Sequence, residues 1–164
     1  MDVDLDETDI EILKRLEKSD DKNLEELSDE LGLSKSAIHY RVTNLKQSDV
    51  ITTISADVDP HALDLNMLLF TEVTVSHESG YAEDVGESLT EIDGVNHVYY
   101  MMGDVDFIVI SRVQNHDQMH VLIDDIVEIE GVNETSSRFV IQELETGGQL
   151  IENMSEEMVD KVVE

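Results

Sequence analysis

The sequence predicts an α+β chain of two units, an N-terminal helix-turn-helix domain of winged-helix-like type followed by a C-terminal βαββαβ sandwich. Three observations carry this reading. The first fifty residues hold three short apolar stripes at helical spacing with a Gly-containing turn before the third. From residue 66 the pattern becomes strand, helix, strand, strand, helix, strand. Within that part the chain repeats itself with a period of 37 residues: Ala82, Val85, Leu89 and Ile92 correspond to Met119, Leu122, Ile126 and Ile129, and Gly94-Val95-Asn96 to Gly131-Val132-Asn133.

In chain order, residues 5–18 (LDETDIEILKRLEK) place Leu5, Ile10, Leu13 and Leu16 on one face, with Ile12 beside them, and Thr8-x-x-Glu11 reads as a capping box. Asn23 offers the cap of a second helix, with Leu24, Leu27 and Leu31 as its stripe and Gly32 where a helix end needs a left-handed residue. Ser34 caps a third stretch, 35–47, in which Ile38, Val42 and Leu45 face one way and Ser36, His39, Tyr40, Thr43 and Asn44 the other. Residues 51–62, with the single proline Pro60, read as a connection carrying a short strand, and the domain boundary falls near residue 60.

Beyond it, residues 67–76 read as a strand, 80–92 as a helix, 95–102 and 106–113 as strands, 117–129 as a helix and 132–143 as a strand. Each helix has one apolar stripe and leaves through Gly into a strand. A four-stranded antiparallel sheet with both helices on one face buries both stripes, which is the ferredoxin-like arrangement. The other sheet face needs a cover, so the sheets are expected to meet between subunits, giving at least a dimer. The expected division is 1–52 helix-turn-helix, 53–65 linker, 66–145 sandwich and 146–164 tail. In the tail Ile151, Met154, Met158 and Val162 suggest a short amphipathic helix docking on the core or on a neighbouring subunit.

Composition narrows the chemistry. Cysteine is absent, which excludes disulfides, thiol catalysis and cysteine-held metals. No run of about 18 apolar residues and no charged-then-apolar leader is present, so the expected location is the cytoplasm, with no membrane partner. The net charge of −29 points to a globular protein adapted to very high salt. At ~1 M salt the Debye length is only about 3 Å, so local rather than total charge decides what a surface can hold. Locally, residues 31–48 contain no Asp or Glu while carrying Lys35, His39, Arg41 and Lys46. A polar, acid-free helix of this kind can set donors and acceptors on base edges while its cations hold phosphates.

Other constellations carry less. His116, His120 and Asp124 could face one metal, but they read as a solvated helix face, and Tyr99, Tyr100, Met101 and Met102 read as strand packing. No phosphate-binding glycine loop occurs, and the carboxylates are too many to single out a general acid and base, so neither an enzyme nor a cofactor is expected.

The run from Leu5 to Ile51 resembles the helix-turn-helix of the Lrp/AsnC (feast/famine) regulators through its leading Leu5-Asp6, Gly32-Leu33-Ser34 and Arg41-Val42-x-x-Leu45. It departs where Thr43 and Asn44 replace further basic residues and where Asp49 stands for Gly. Gly103-Asp104-Val105-Asp106-Phe107 and Gly131-Val132-Asn133-Glu134-Thr135 resemble that family's effector (RAM) domain. The likeness spans about residues 5–145 and, with the acidic composition, points to a halophilic archaeon. It implies a sequence-specific regulator bound to double-stranded DNA as a homodimer, or as a tetramer or octamer, and responding to an amino acid or related metabolite. The DNA contacts would come from Ser34, Lys35, Ser36, His39, Tyr40, Arg41, Thr43, Asn44 and Lys46, with Arg41 and Lys46 on phosphates. The effector contacts would come from Gly103, Asp104, Asp106, Ser136, Ser137 and Arg138. The alternative is a ligand-binding oligomer whose helix-turn-helix no longer binds DNA.

Overall fold

The computed structural model describes residues 4–18, 24–76, 81–144 and 149–163, with the backbone alone for Leu24 and Tyr81. The chain divides into two compact units, one of residues 1–57 with 145–164 and one of residues 58–144.

In the first unit α1 (Glu7–Lys18), α2 (Leu24–Leu31) and α3 (Lys35–Gln47) enclose a small core of Ile12, Leu13, Leu27, Ile38, Val42 and Leu45. Burying such a side chain contributes about 1.5–3 kcal/mol, which is what makes three short helices hold as a unit. Gly32 takes φ +65° and ends α2, as expected of a left-handed C-cap. The start of α1 differs from the sequence expectation. The reciprocal box is Asp6-x-x-Asp9, not Thr8-x-x-Glu11: Asp9 donates its amide to Asp6 Oδ1 at 2.9 Å and Asp6 donates to Asp9 Oδ2 at 3.2 Å. The helix starts at Glu7, which places Asp6 at the cap, and Glu11 turns instead to Arg15 and Lys14. The Asn23 cap lies outside the described residues.

Residues 52–59 are exposed and take no regular secondary structure, and a 3-10 turn at Pro60–Leu63 follows. The connecting strand does not form here, since no second strand among the described residues lies beside it to pair with.

The second unit is a four-stranded antiparallel sheet in the order β2-β3-β1-β4, with β1 Met67–Val75, β2 Val95–Tyr100, β3 Phe107–Val113 and β4 Val132–Phe139. Between the strands run α4 (Tyr81–Thr90) and α5 (His116–Glu128); the Gly80 start expected for α4 lies outside the described residues. Val85 and Leu89 of α4 and Leu122 and Ile126 of α5 join Leu69, Val73, Phe107 and Val109 in one core, so both helices cover one sheet face. This is the βαββαβ sandwich that the repeat implies. Gly94 shows why glycine precedes β2: φ is +88° and a Cβ would stand 3.0 Å from the carbonyl oxygen of Arg112.

The residues expected to pack in β2 do so only in part. Tyr100 lies tilted against Phe107 with ring centroids 5.2 Å apart, yet Tyr99, Tyr100, Met101 and Met102 are all exposed: Tyr99 stands on the helix-free face of the sheet, and β2 ends at Tyr100, so the methionines enter the turn. In the tail, α6 (Glu156–Val163) forms, and the expected Gly147-Gly148 entry to it lies outside the described residues.

Candidate nucleic-acid interface and effector turn

Helix α3 is set by its own caps and by one ion-pair cluster. Ser34 Oγ accepts from the amide of Ala37 at 3.2 Å and lies 3.1 Å from Ser36 Oγ, which keeps Ser34 at the helix start as its cap. With Ile38, Val42 and Leu45 buried, the 3.6-residue period turns Ser36, Tyr40, Thr43 and Gln47 directly outward. Lys35, His39 and Lys46 then line one flank of that stripe, and Asn44 and Arg41 the other. Gln47 is exposed and falls on the outward stripe. It is absent from the residues picked out by sequence, although the spacing 36, 40, 43, 47 would have found it.

The two flanks differ in charge. Lys46 is exposed and has no ion-pair partner among the described residues. Lys35 reaches Glu25 at 2.5 Å, with both side chains largely in solvent, where such a pair is weak and easily exchanged. Arg41 is a different case from the phosphate contact expected of it. Its guanidinium donates to Asp9 Oδ1 and Asp6 Oδ2, each at 2.8 Å, tying α3 to the start of α1. Hydrogen bonds to Asp9 and then Asp6 raise its pKa further. Burial pushes the Asp6 carboxyl upward, but the Asp9 amide and Arg41 outweigh it and leave it below its ordinary value. A cleft of about 440 Å³ opens beside this cluster, lined by Asp4, Asp6, Asp9, Tyr40, Arg41 and Asn44 among others. The Lys35–Lys46 flank is therefore the more cationic of the two, and the Arg41 flank is the acidic one.

In the second unit the turn between β2 and β3 leaves Gly103, at φ +144°, and Asp104 exposed. Phe107, Val73 and Thr135 stand in register, so this turn lies at the end of the sheet where β4 begins. Asp106, expected to face an effector, points inward: it is buried, and its Oδ2 accepts from the amide of Val75 at 2.9 Å. Its own amide donates to Val73 O at 3.1 Å, so Asp106 fastens the turn to β1. Ser137 Oγ lies 2.9 Å from Thr71 Oγ1 across the strand pair. Arg138 pairs with Glu72 at 2.6 Å; hydrogen bonding between them lowers the pKa of Glu72 and raises that of Arg138. Ser136 is exposed. Of the six expected effector residues, Gly103, Asp104, Ser136, Ser137 and Arg138 are exposed, and Asp106 alone is buried. Among the described residues no group of three or more His, Cys, Asp or Glu is arranged to hold a metal.

Residues 5–52 match a family model described as winged helix-turn-helix DNA-binding, and residues 68–150 one described as the Lrp/AsnC ligand binding domain. An HTH-type transcriptional regulator of Pyrococcus abyssi is 35% identical over 87% of this chain and 93% of its own. The leucine-responsive regulatory protein of Escherichia coli is 27% identical over 90% and 92%. The solved structure of E. coli AsnC superposes with a TM-score of 0.77 at 26% identity, covering 87% of this chain and 95% of that one. A Neisseria meningitidis transcriptional regulator solved as its L-Met complex superposes at 0.84 with 24% identity, covering 89% and 96%, and shares the fold.

Proposed function

The chain belongs to the Lrp/AsnC family of DNA-binding transcriptional regulators, and from that premise we propose how it reads DNA and where it takes an effector. The outward stripe of α3, Ser36, Tyr40, Thr43 and Gln47 with His39 and Asn44 beside it, enters the major groove and meets base edges. Lys46, with Lys35 once it leaves Glu25, holds phosphates on the cationic flank. A dimer places two such helices on successive half-sites, and dimers join into a tetramer or octamer. The observation that supports this reading is the acid-free α3 in a chain with 39 Asp and Glu residues. The protein works in the cytoplasm; no described helix is long and apolar enough to cross a membrane.

The effector is an amino acid or related metabolite, as the ligand named in the Neisseria structure suggests. Asp104 meets its ammonium group, while the turn amides around Gly103 and the hydroxyl of Ser136 meet its carboxylate. Asp106 shapes this site rather than touching the ligand, and Ser137 and Arg138, exposed on β4, add hydroxyl and guanidinium contacts.

Fluorescence anisotropy in molar KCl, with a promoter fragment against shuffled DNA, tests the DNA reading. Lys46→Ala should weaken both DNAs alike and reduce the slope of log K against log salt by about 0.9, whereas Asn44→Ala should change preference at one position by about 1–3 kcal/mol. Equal affinity for the two DNAs at every salt concentration would sink it and favour a ligand-binding oligomer. Isothermal titration against the twenty amino acids, repeated with Asp104→Ala, tests the effector site, which fails if the folded wild type binds none of them or the substitution changes nothing.

A further inference from the structure

The chain returns to the helix-turn-helix unit after β4. Residues 145–164 cluster with 1–57, so the sandwich of 58–144 is joined to the DNA-binding unit at both its ends. The place of return is specific. The Glu17 carboxylate, in the last turn of α1, accepts the amide of Leu150 with Oε1 at 3.1 Å and that of Ile151 with Oε2 at 2.8 Å. Two consecutive amides on one carboxylate form a directed contact that a loosely adsorbed tail would not make. The Ile151 side chain packs against the core of α1, α2 and α3, and Lys18 pairs with Glu152 at 2.9 Å. Among the docked residues only Glu152 is charged, and Lys18 receives it. Apolar burial and hydrogen bonds, more than net charge, therefore hold it.

We propose that residues 150–152 are a strap that fixes the C-terminal end of α1 and keeps the helix-turn-helix in its DNA-binding geometry. Helix α1 reaches α2 through Arg15 and Glu30 at 3.2 Å and α3 through the Arg41 cluster, so an α1 held at both ends holds α3 in place. The strap deepens the DNA reading and rests on it only for its second readout.

Hydrogen exchange of the full-length chain, without DNA, is compared for wild type, Glu17→Ala and Ile151→Ala. The amides of Leu150 and Ile151 should exchange at least ten-fold faster in Glu17→Ala, and those of α1 at least three-fold faster in both variants, while β1 and β3 stay unchanged. Promoter affinity should fall at least five-fold in both. If one variant fails to fold, the other carries the comparison. Exchange in α1 within two-fold of wild type overturns the proposal, as does faster exchange in α1 with promoter affinity unchanged. A wild type that binds no promoter contradicts the DNA reading, and the exchange comparison alone then decides whether the strap exists.

Discussion

Arg41 lies in the middle of the acid-free stretch, yet its guanidinium is committed to two carboxylates of α1. Asp9 is buried, and removing its cation would leave that carboxylate with the Asp6 amide alone. Arg41→Ala should cost about 1–2 kcal/mol, discounted because Arg41 and Asp6 keep solvent contact. The pH dependence has a definite sign. Asp6 titrates below its ordinary 3.8, so its contribution is complete above about pH 5 and is lost as pH falls through the lower folded value. Urea unfolding should show a gap between wild type and Arg41→Ala that is constant from pH 5 to 7 and closes below pH 4. A gap that widens with acid would contradict this. Asp49, where the family usually places Gly, sits at φ +58° just past α3. Relief of that left-handed conformation should let Asp49→Gly stabilise by up to about 1 kcal/mol in the same measurement, and a loss of stability would show that the strain is not there.

At the scale of elements, α3 depends on its first turn. Val42 and Leu45 are buried near its C-terminal end, but at its start the amide of Ala37 depends on the side chain of Ser34. Ser34→Ala should lower the stability of the helix-turn-helix by about 1 kcal/mol and speed exchange in the first turn of α3 with little effect on α1. Undiminished stability would show that the cap is dispensable. The Ser34 cap and the stripes of α3 and α5 were legible in sequence because a helix is held by contacts three and four residues apart. The box at the start of α1 was not, because acids at 6, 7, 9 and 11 offer several registers. Asp6 and Asp9 are the pair that also meets Arg41.

At the scale of the molecule, the helix-free face of the sheet presents Leu68 and Phe70 from β1 and Ile108 and Ile110 from β3, the two central strands. Tyr99 extends this apolar surface on β2, with Phe70 and Tyr99 exposed in the single chain. A contiguous apolar patch on a central sheet face is the surface that oligomers of this family can bury. Ile110→Asp puts a charge at its middle and should convert the sedimenting species to monomer, with far-ultraviolet circular dichroism unchanged. An unaltered sedimentation coefficient would move the subunit contact elsewhere.

By itself the sequence determined the order of elements, the two-unit plan, the repeat behind the sandwich and the helix with the unusual charge. These are periodic or local properties, written in neighbours a few residues apart. Tertiary structure decided the tasks of single polar side chains. Arg41 finds Asp9 across 32 positions, Asp106 finds Val75 across 31, and Glu17 finds Ile151 across 134. With 39 acids and 10 Lys and Arg residues, each cation has many carboxylates it could meet, and composition cannot choose among them. Only the packing of α1 against α3, of the turn against β1 and of the tail against α1 brings particular donors within 3 Å of particular acceptors. For that reason the acid-free helix could be read from the sequence, while the arginine at its centre, which bears on how few cations are left for DNA, could be assigned only from the fold.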